Sequence, residues 1–300
     1  DWANAKLYAK KVIDSPYKLY TTKKGQWSAY QQLFMGDNGE NGASVEAIFP
    51  ILQDGLKTTS YGTTLYLMAG SNDNSEHIKS ATIAGNSTTG GWAGNRMRPD
   101  LVLKFFPNND APNVAAYAMP AAADDDRALF DGEGRNVSNG DDEKGVKVFT
   151  NGFSVCKFNN FKTDGSAGHN SLFPDADFFL MRAAEAYLMY AEADARQNNG
   201  TTTAQGTAYI NALRTRANAT TQTAYSLRQI CDEWSREFYF EGLRRTTLIR
   251  FGYFGGNVNY NWSWKGGVKN GRNFDSHLNL FPIPTSDMVA NSNLIQNTGY

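Results

Sequence analysis

The sequence contains few of the residue types on which metal, redox and disulfide chemistry depend. Its 300 residues include two cysteines and three histidines. Two cysteines do not make a disulfide framework, and Cys231 falls on the apolar face of a predicted helix, where we expect it to be buried. The histidines, His77, His169 and His277, share no ligand spacing with the cysteines. The sequence therefore predicts no metal site and no cofactor.

An excess of charge and a long apolar segment are also absent. The net charge is −1 at pH 7, which gives no electrostatic reason to expect nucleic acid as a partner. No apolar run approaches the roughly 20 residues that a helix needs to cross a bilayer. Walker, dinucleotide-binding and G-x-S-x-G motifs do not occur. A chain of this length and composition is expected to form a globular core.

Helical patterns dominate the region from residue 177 to residue 252. The first predicted helix begins with Asp177 as its N-cap and ends at Asn198-Asn199-Gly200. Its apolar residues recur at steps of three and four and so share one face: Phe178, Met181, Ala184, Leu188 and Ala191. A shorter second helix follows. The third begins at Ser226, with Gln229 in capping-box position, and ends before Gly242.

Shorter elements are predicted elsewhere. Residues 1–14 and 26–35 have helical patterns, and a short apolar helix follows Pro99. Alternating residues near 45–49 and the apolar segment 64–68 predict strands. Two alternating runs within 146–161 predict a hairpin. Long polar, glycine-rich stretches separate these elements, and loops of that length in a compact protein are usually functional.

Five sequence segments occur in an order that resembles the C-terminal half of the SusD/RagB family. They are RAAEAYLMYAEA from Arg182, NALRTRA from Asn211, ExxxEFxFEGxR from Glu233, LIRFG from Leu248, and a closing LFPIPTSDM…LIQNTGY. The chain departs from the family pattern at Trp234, Thr247 and Thr298.

The resemblance implies a mainly α fold of tetratricopeptide-like helix pairs with long loop-rich insertions and a few short strands. Within one domain, we expect a helix pair at 1–40 and an insertion at 41–176. A helical core at 177–252 and a closing segment at 253–300 would follow. Family members carry a further N-terminal half, so we expect this chain to be a fragment or a processed form.

The resemblance also implies a function without catalysis. Family members are lipid-anchored outer-membrane proteins of Bacteroidetes that capture oligosaccharides or polysaccharides at the cell surface. They deliver them to a SusC-type TonB-dependent transporter. Capture of a peptide or glycopeptide is an alternative that related members suggest. A helical-repeat interaction module without a small-molecule site is another.

Aromatic residues in polar loops are the candidate ligand-binding residues. A sugar offers C–H groups on its ring face and hydroxyls at its edge, so a binding site requires an exposed aromatic ring with polar neighbours. One such set is Trp92 with Asn95, Arg96 and Arg98. The other is Tyr260, Trp262 and Trp264. The opposing interpretation is that each ring packs its own loop onto the core, and it is favoured for Trp262 and Trp264.

Two acidic patterns suggest chemistry that we do not expect. Glu185 with Glu192, and Glu237 with Glu241, share helix faces, but a glycoside hydrolase needs its two carboxyls in a cleft. Neighbouring arginines favour salt bridges for these glutamates. The acidic turn at residues 124–134 lacks the spacing of an EF-hand calcium loop, although calcium in an irregular loop stays an alternative.

Overall fold

The structure, a computed structural model, describes residues 1–59, 61–80, 91–137 and 151–300. The chain forms two compact units, Asp1–Glu241 and Gly242–Tyr300. The predicted four-segment organisation of a single domain stays a prediction.

The first unit is mainly helical. Its helices are α1 (Trp2–Ile13), α2 (Ala29–Gln32), α3 (Thr63–Ser71), α4 (Pro99–Val102), α5 (Met119–Ala123), α6 (Ala183–Gln197), α7 (Ala204–Arg216) and α8 (Leu227–Phe238). Its strands are β1 (Ala47–Ile51), β2 (Phe130–Asp131), β3 (Ser154–Val155) and β4 (Phe178–Arg182). Strands β1 and β4 form one antiparallel pair, and β2 and β3 form another. The predicted fold class, mainly α with a few short strands, is confirmed.

The second unit contains α9 (Arg244–Arg250), α10 (Thr285–Ala290) and two short 3₁₀ helices, Lys265–Gly267 and Ser276–Asn279. A further 3₁₀ helix, Ala43–Glu46, precedes β1 in the first unit.

Across the described ranges, no helix combines the length and apolar character needed to cross a membrane.

Helix α6 is the centre of the first unit and packs against α1, α7 and α8. Small side chains allow this close packing, since Ala184 and Ala191 are fully buried together with Leu188. At Gly206 on α7, a Cβ atom would lie 2.3 Å from the Asp194 carboxylate of α6. A side chain at residue 206 would therefore collide with the Asp194 side chain unless that side chain moved.

The predicted start of the first core helix is wrong. Residues 178–182 form β4, and α6 begins at Ala183 with Arg182 as its N-cap. The reason is a long-range contact, because β1 supplies an antiparallel partner that places Phe49 opposite Met181. Helical periodicity in the local sequence does not contain that information.

Two other element predictions need correction. Within 26–35 only Ala29–Gln32 is α-helical. The side chain of Asn38, just beyond this segment, donates to the carbonyl of Leu33 at 2.9 Å. In a longer helix that carbonyl would accept a hydrogen bond from a backbone amide of the next turn. Segment 64–68 lies in helix α3 and not in a strand. An apolar run this short does not distinguish the two by periodicity.

The predicted hairpin within 146–161 is described only in part. Its first run, 146–149, lies outside the described residues. In the second run, β3 pairs with β2, where Val155 lies opposite Phe130. Among the described residues, the partner of this strand is therefore a segment that precedes the predicted hairpin.

Candidate functional site

The loop that carries Trp92 is fixed to the last turn of α3. Three of its backbone amides donate to carbonyl groups there over 2.6–3.1 Å: Trp92 to Ala69, Ala93 to Asn72, and Asn95 to Gly70. The amide of Met97 donates to Phe153 at 2.8 Å and continues the attachment towards β3. Backbone hydrogen bonds of this kind hold the indole on a rigid helix end.

Glycine is required in this loop because of a close approach of two backbones. A Cβ atom at Gly91 would lie 2.0 Å from the carbonyl oxygen of Asn72. Left-handed backbone is found at Ala93, with φ of 49°, and not at Gly91 or Gly94. Gly90 lies outside the described residues. Gly91 thus lets the backbone of the loop lie against the end of α3.

The Trp92 indole is exposed and forms a pair with a second exposed ring, that of Tyr66. The two side chains are 52% and 55% exposed. Their ring centroids lie 6.0 Å apart with an interplanar angle of 65°, an edge-to-face arrangement. We name this pair the Tyr66–Trp92 surface. It presents two aromatic faces to solvent at an angle to each other.

Sequence reasoning missed Tyr66 because segment 64–68 was predicted as a strand. In helix α3, Leu65, Met68 and Ala69 are buried, and Tyr66 is left on the outer side. A helical reading of the same residues would have placed Tyr66 outward. The local sequence is therefore compatible with an outward Tyr66, but it does not by itself distinguish a helix from a strand.

Polar residues continue the loop beyond Trp92. Asn95 is exposed, and Arg96 and Arg98 are half-buried. Burial lowers the pKa of Arg96, and the positive charges of Arg135 and Arg98 lower it further. The loop therefore combines an aromatic face with amide and guanidinium donors, the groups that hydroxyl-rich ligands require.

The second predicted set, in the second unit, is an aromatic cluster whose rings face one another. Tyr260 is buried and stacks on Tyr253, with centroids 4.6 Å apart and planes at 8°. Trp262 contacts Phe254, Tyr260 and Phe274. Trp264 is half-buried and is the N-cap of the 3₁₀ helix Lys265–Gly267. Ligand binding by Tyr260, Trp262 and Trp264 stays a prediction, and these contacts favour the packing interpretation.

Arginines form salt bridges with three of the paired glutamates, Glu192, Glu237 and Glu241. Arg182 lies 2.6 Å from Glu237 and 2.8 Å from Glu241, and Glu192 lies 3.1 Å from Arg196. Burial opposes ionisation of Glu237, but nearby guanidinium groups lower its pKa to about 2. A general acid needs a raised pKa, so the Glu237–Glu241 pair has the electrostatics of a buried ion network.

Two groups of side chains in the described part of the chain bring metal-ligand atoms together. They are Asp54 with His169 and Asp175, and His77 with Asp131 and Glu133. In the first group the Asp175 carboxylate already accepts from the amides of Gly55 and His169, both at 2.7 Å. Sequence spacing indicated neither group, because in each group one residue, Asp54 or His77, is far from the other two in the chain.

Comparison with known proteins identifies the class of this scaffold. Its fold matches a SusD superfamily protein from Parabacteroides distasonis, with a TM-score of 0.58 and 18% identity, over 100% of this chain and 58% of the other. It also matches surface glycan-binding protein A from Bacteroides thetaiotaomicron in complex with laminarihexaose. That match has a TM-score of 0.56 and 19% identity, over 99% of this chain and 59% of the other. At these identities the likeness shows the fold alone.

Sequence comparison then shows the family. The model of the SusD family matches residues 122–300. The starch-binding protein SusD of Bacteroides thetaiotaomicron is 40% identical over 332 aligned positions, which cover 100% of this chain and 56% of that protein. The chain belongs to the SusD family, and it spans a little over half the length of the curated relative that it matches.

Proposed function

We propose that this chain binds an oligosaccharide or polysaccharide on the Tyr66–Trp92 surface and performs no catalysis. The observation that carries the proposal is the exposed edge-to-face ring pair on a loop held to α3 by backbone hydrogen bonds. A sugar ring stacks its C–H face on one aromatic plane while its hydroxyls turn to the rim. Asn95, Arg96 and Arg98 belong to that rim in this proposal.

The exposure of Trp92 supports ligand binding over a purely structural module. A structural tryptophan is expected to be buried in a core, as Trp27 and Trp234 are here. Half of the Trp92 side chain instead faces solvent, although burying an indole would stabilise the fold. A helical-repeat module without a small-molecule site gives no reason for this exposure.

An α-linked glucan is the ligand class we favour. The 40% identical relative is named a starch-binding protein, whereas the laminarihexaose complex belongs to a structure of only 19% identity. Two rings set at 65° to each other suit a curved chain whose successive sugars turn relative to one another.

Delivery and location form a further part of the proposal. In the full-length protein we place this chain at the outer-membrane surface, held by a lipid anchor. There it would pass its glycan to a SusC-type TonB-dependent transporter. Family membership supports this part. Co-purification of the full-length protein with such a transporter from outer membranes tests it, and isolation from another compartment would contradict it.

Calorimetry with maltoheptaose and laminarihexaose tests the binding proposal. We expect the parent chain to bind maltoheptaose more tightly. Tyr66→Ala should weaken that binding roughly tenfold, the loss expected for one stacking ring. Tyr8→Ala is the matched control, because Tyr8 is 61% exposed on α1, and it should bind as the parent does. Unchanged affinity in Tyr66→Ala, or release of reducing sugar by the parent, would contradict the proposal.

A further inference from the structure

His77, Asp131 and Glu133 are brought together by backbone contacts to one intervening segment. The amide of Tyr117 donates to the carbonyl of His77 at 2.9 Å. The amide of Ala116 donates to Oδ1 of Asp131, also at 2.9 Å. Segment 114–117 therefore contacts both stretches of chain that carry the three side chains. One stretch contains His77 and the other contains Asp131 and Glu133, more than 50 residues later.

The imidazole nitrogen that faces the two carboxylates makes no hydrogen bond. Nδ1 of His77 is a buried atom without a hydrogen-bond partner. It nevertheless lies 3.1 Å from Oε2 of Glu133 and 3.6 Å from Oδ2 of Asp131. A buried nitrogen left in this position is costly unless something else occupies its lone pair.

The distances match those between ligands that share one small cation. Two ligand atoms that each lie about 2.1 Å from a metal, at angles of 90–120°, are about 3.0–3.6 Å apart. Both distances from Nδ1 fall at this spacing. All three ligand atoms lie within 4.8 Å of one another. The Glu133 side chain is 53% exposed, so its carboxylate can shift towards a bound ion. The Asp131 carboxylate is held in place by the amide of Ala116.

The ligand set selects the kind of metal. One imidazole and two carboxylates suit a borderline divalent ion such as Zn²⁺, whereas Ca²⁺ takes six to eight oxygen ligands. The Oδ1 atom of Asp131 is held by a backbone amide, an outer hydrogen bond that orients a metal ligand. Exposure at Glu133 leaves the remaining coordination position to water.

We propose that His77, Asp131 and Glu133 form a binding site for Zn²⁺ that links residue 77 to the turn at 131–133. Binding stabilises the folded chain because the unfolded chain does not assemble the three ligands. The site is independent of the proposed glycan-binding function and would exist without it.

Calorimetric titration of the 300-residue chain with ZnCl₂ near pH 7.5 tests the site, since neutral imidazole is the binding form. We expect one saturable Zn²⁺ site per chain, with a dissociation constant of about 10 μM. At 1 mM Zn²⁺ the melting temperature should rise by about 2–5 °C. His77→Gln and Glu133→Gln should each weaken binding at least tenfold. Glu133→Gln changes an exposed side chain, so its folding is not in question.

Two control variants locate the metal. His277→Gln removes a histidine that lies 3.0 Å from one carboxylate, Asp275, and it should leave the Zn²⁺ affinity unchanged. His169→Gln alters the other His–carboxylate group and should also leave it unchanged. Loss of binding in His169→Gln with retention in His77→Gln would overturn the proposal. Tighter binding of CaCl₂ than of ZnCl₂, or no saturable binding at all, would overturn it as well.

Discussion

The guanidinium group of Arg182 lies 2.6 Å from the carboxylate of Glu237, and neither side chain is exposed to solvent. The same guanidinium group lies 2.9 Å from Glu46 and 2.8 Å from Glu241. Arg182 thus joins β4 to the 3₁₀ helix before β1 and to the end of α8. A charge buried among three carboxylates is costly to remove singly, because its partners are left uncompensated.

Arg182→Ala is expected to destabilise the chain by about 3–5 kcal/mol, the cost of breaking a buried ion pair. Urea denaturation followed by circular dichroism measures the change. Arg228→Ala is the control, since Arg228 is exposed and lies 3.9 Å from Asp232 on the same helix. Its effect should stay below about 0.5 kcal/mol. Equal effects of the two substitutions would contradict the central role of Arg182.

The pH dependence of stability should reflect Glu237. Nearby Arg216, Arg182 and Arg127 overcome the effect of burial and lower the pKa of Glu237 from 4.5 to about 2. Below its ordinary pKa the unfolded chain binds a proton that the folded chain does not, so stability is lost as pH falls from about 4.5 towards 2. The contribution present above that window is on the order of 3 kcal/mol.

Urea midpoints between pH 7 and pH 3 test this expectation. Glu237→Gln should be less stable at pH 7 and should lose less stability on acidification than the parent. Glu40→Gln, at an exposed position, should follow the parent curve. A parent-like acid slope in Glu237→Gln would assign the acid sensitivity to other carboxylates.

Much of the helical core could be predicted from local sequence. The capping box of Ser226 and Gln229 occurs as expected. Helix α6 ends at Gln197, immediately before Asn198, with left-handed backbone at Asn199 and Gly200. These signals are local, because each depends on residues within one turn of the helix end. Cys231 is also buried, as predicted.

The apolar face of α6 supplies a test of that core. Leu188 is fully buried, whereas Met189, the next residue, is 43% exposed. Leu188→Asp should abolish soluble folding, because an unpaired buried carboxylate costs several kcal/mol. Met189→Asp should express and melt within a few degrees of the parent. Expression yield and thermal melting measure both, and a soluble Leu188→Asp chain with a parent-like melting temperature would contradict this placement.

The long-range contacts could not be predicted from sequence. Strand β4 exists because β1 pairs with it. The cluster around Arg182 depends on Glu46, which lies 136 residues earlier in the chain. The same limit applies to the candidate site. Trp92 was predicted from its own loop, but its neighbour Tyr66 required the knowledge that α3 is a helix and that the loop returns to it.

The attachment of the Trp92 loop to α3 predicts unequal effects of two glycine substitutions. At Gly91 an added Cβ would lie 2.0 Å from a backbone oxygen, whereas at Gly94 the nearest atom would be 3.8 Å away. Gly91→Ala should therefore displace the loop and weaken maltoheptaose binding, and Gly94→Ala should bind as the parent does. Calorimetry measures both affinities, and equal behaviour of the two variants would contradict the described position of the loop.

Trp92→Ala tests whether the indole contacts ligand or supports the fold. The ring is 52% exposed and its nearest aromatic neighbour is Tyr66, so its removal leaves no large cavity and should change the melting temperature little. Loss of one stacking face should cost about 1–3 kcal/mol of binding, which is roughly five-fold to more than a hundred-fold in affinity. Trp2→Ala is the matched control, because Trp2 is also partly exposed but lies on α1 under the Arg196 guanidinium group. Unchanged affinity together with a large loss of stability in Trp92→Ala would show that the indole is structural. In that case the glycan site would have to be sought at Trp262 and Trp264 of the second unit.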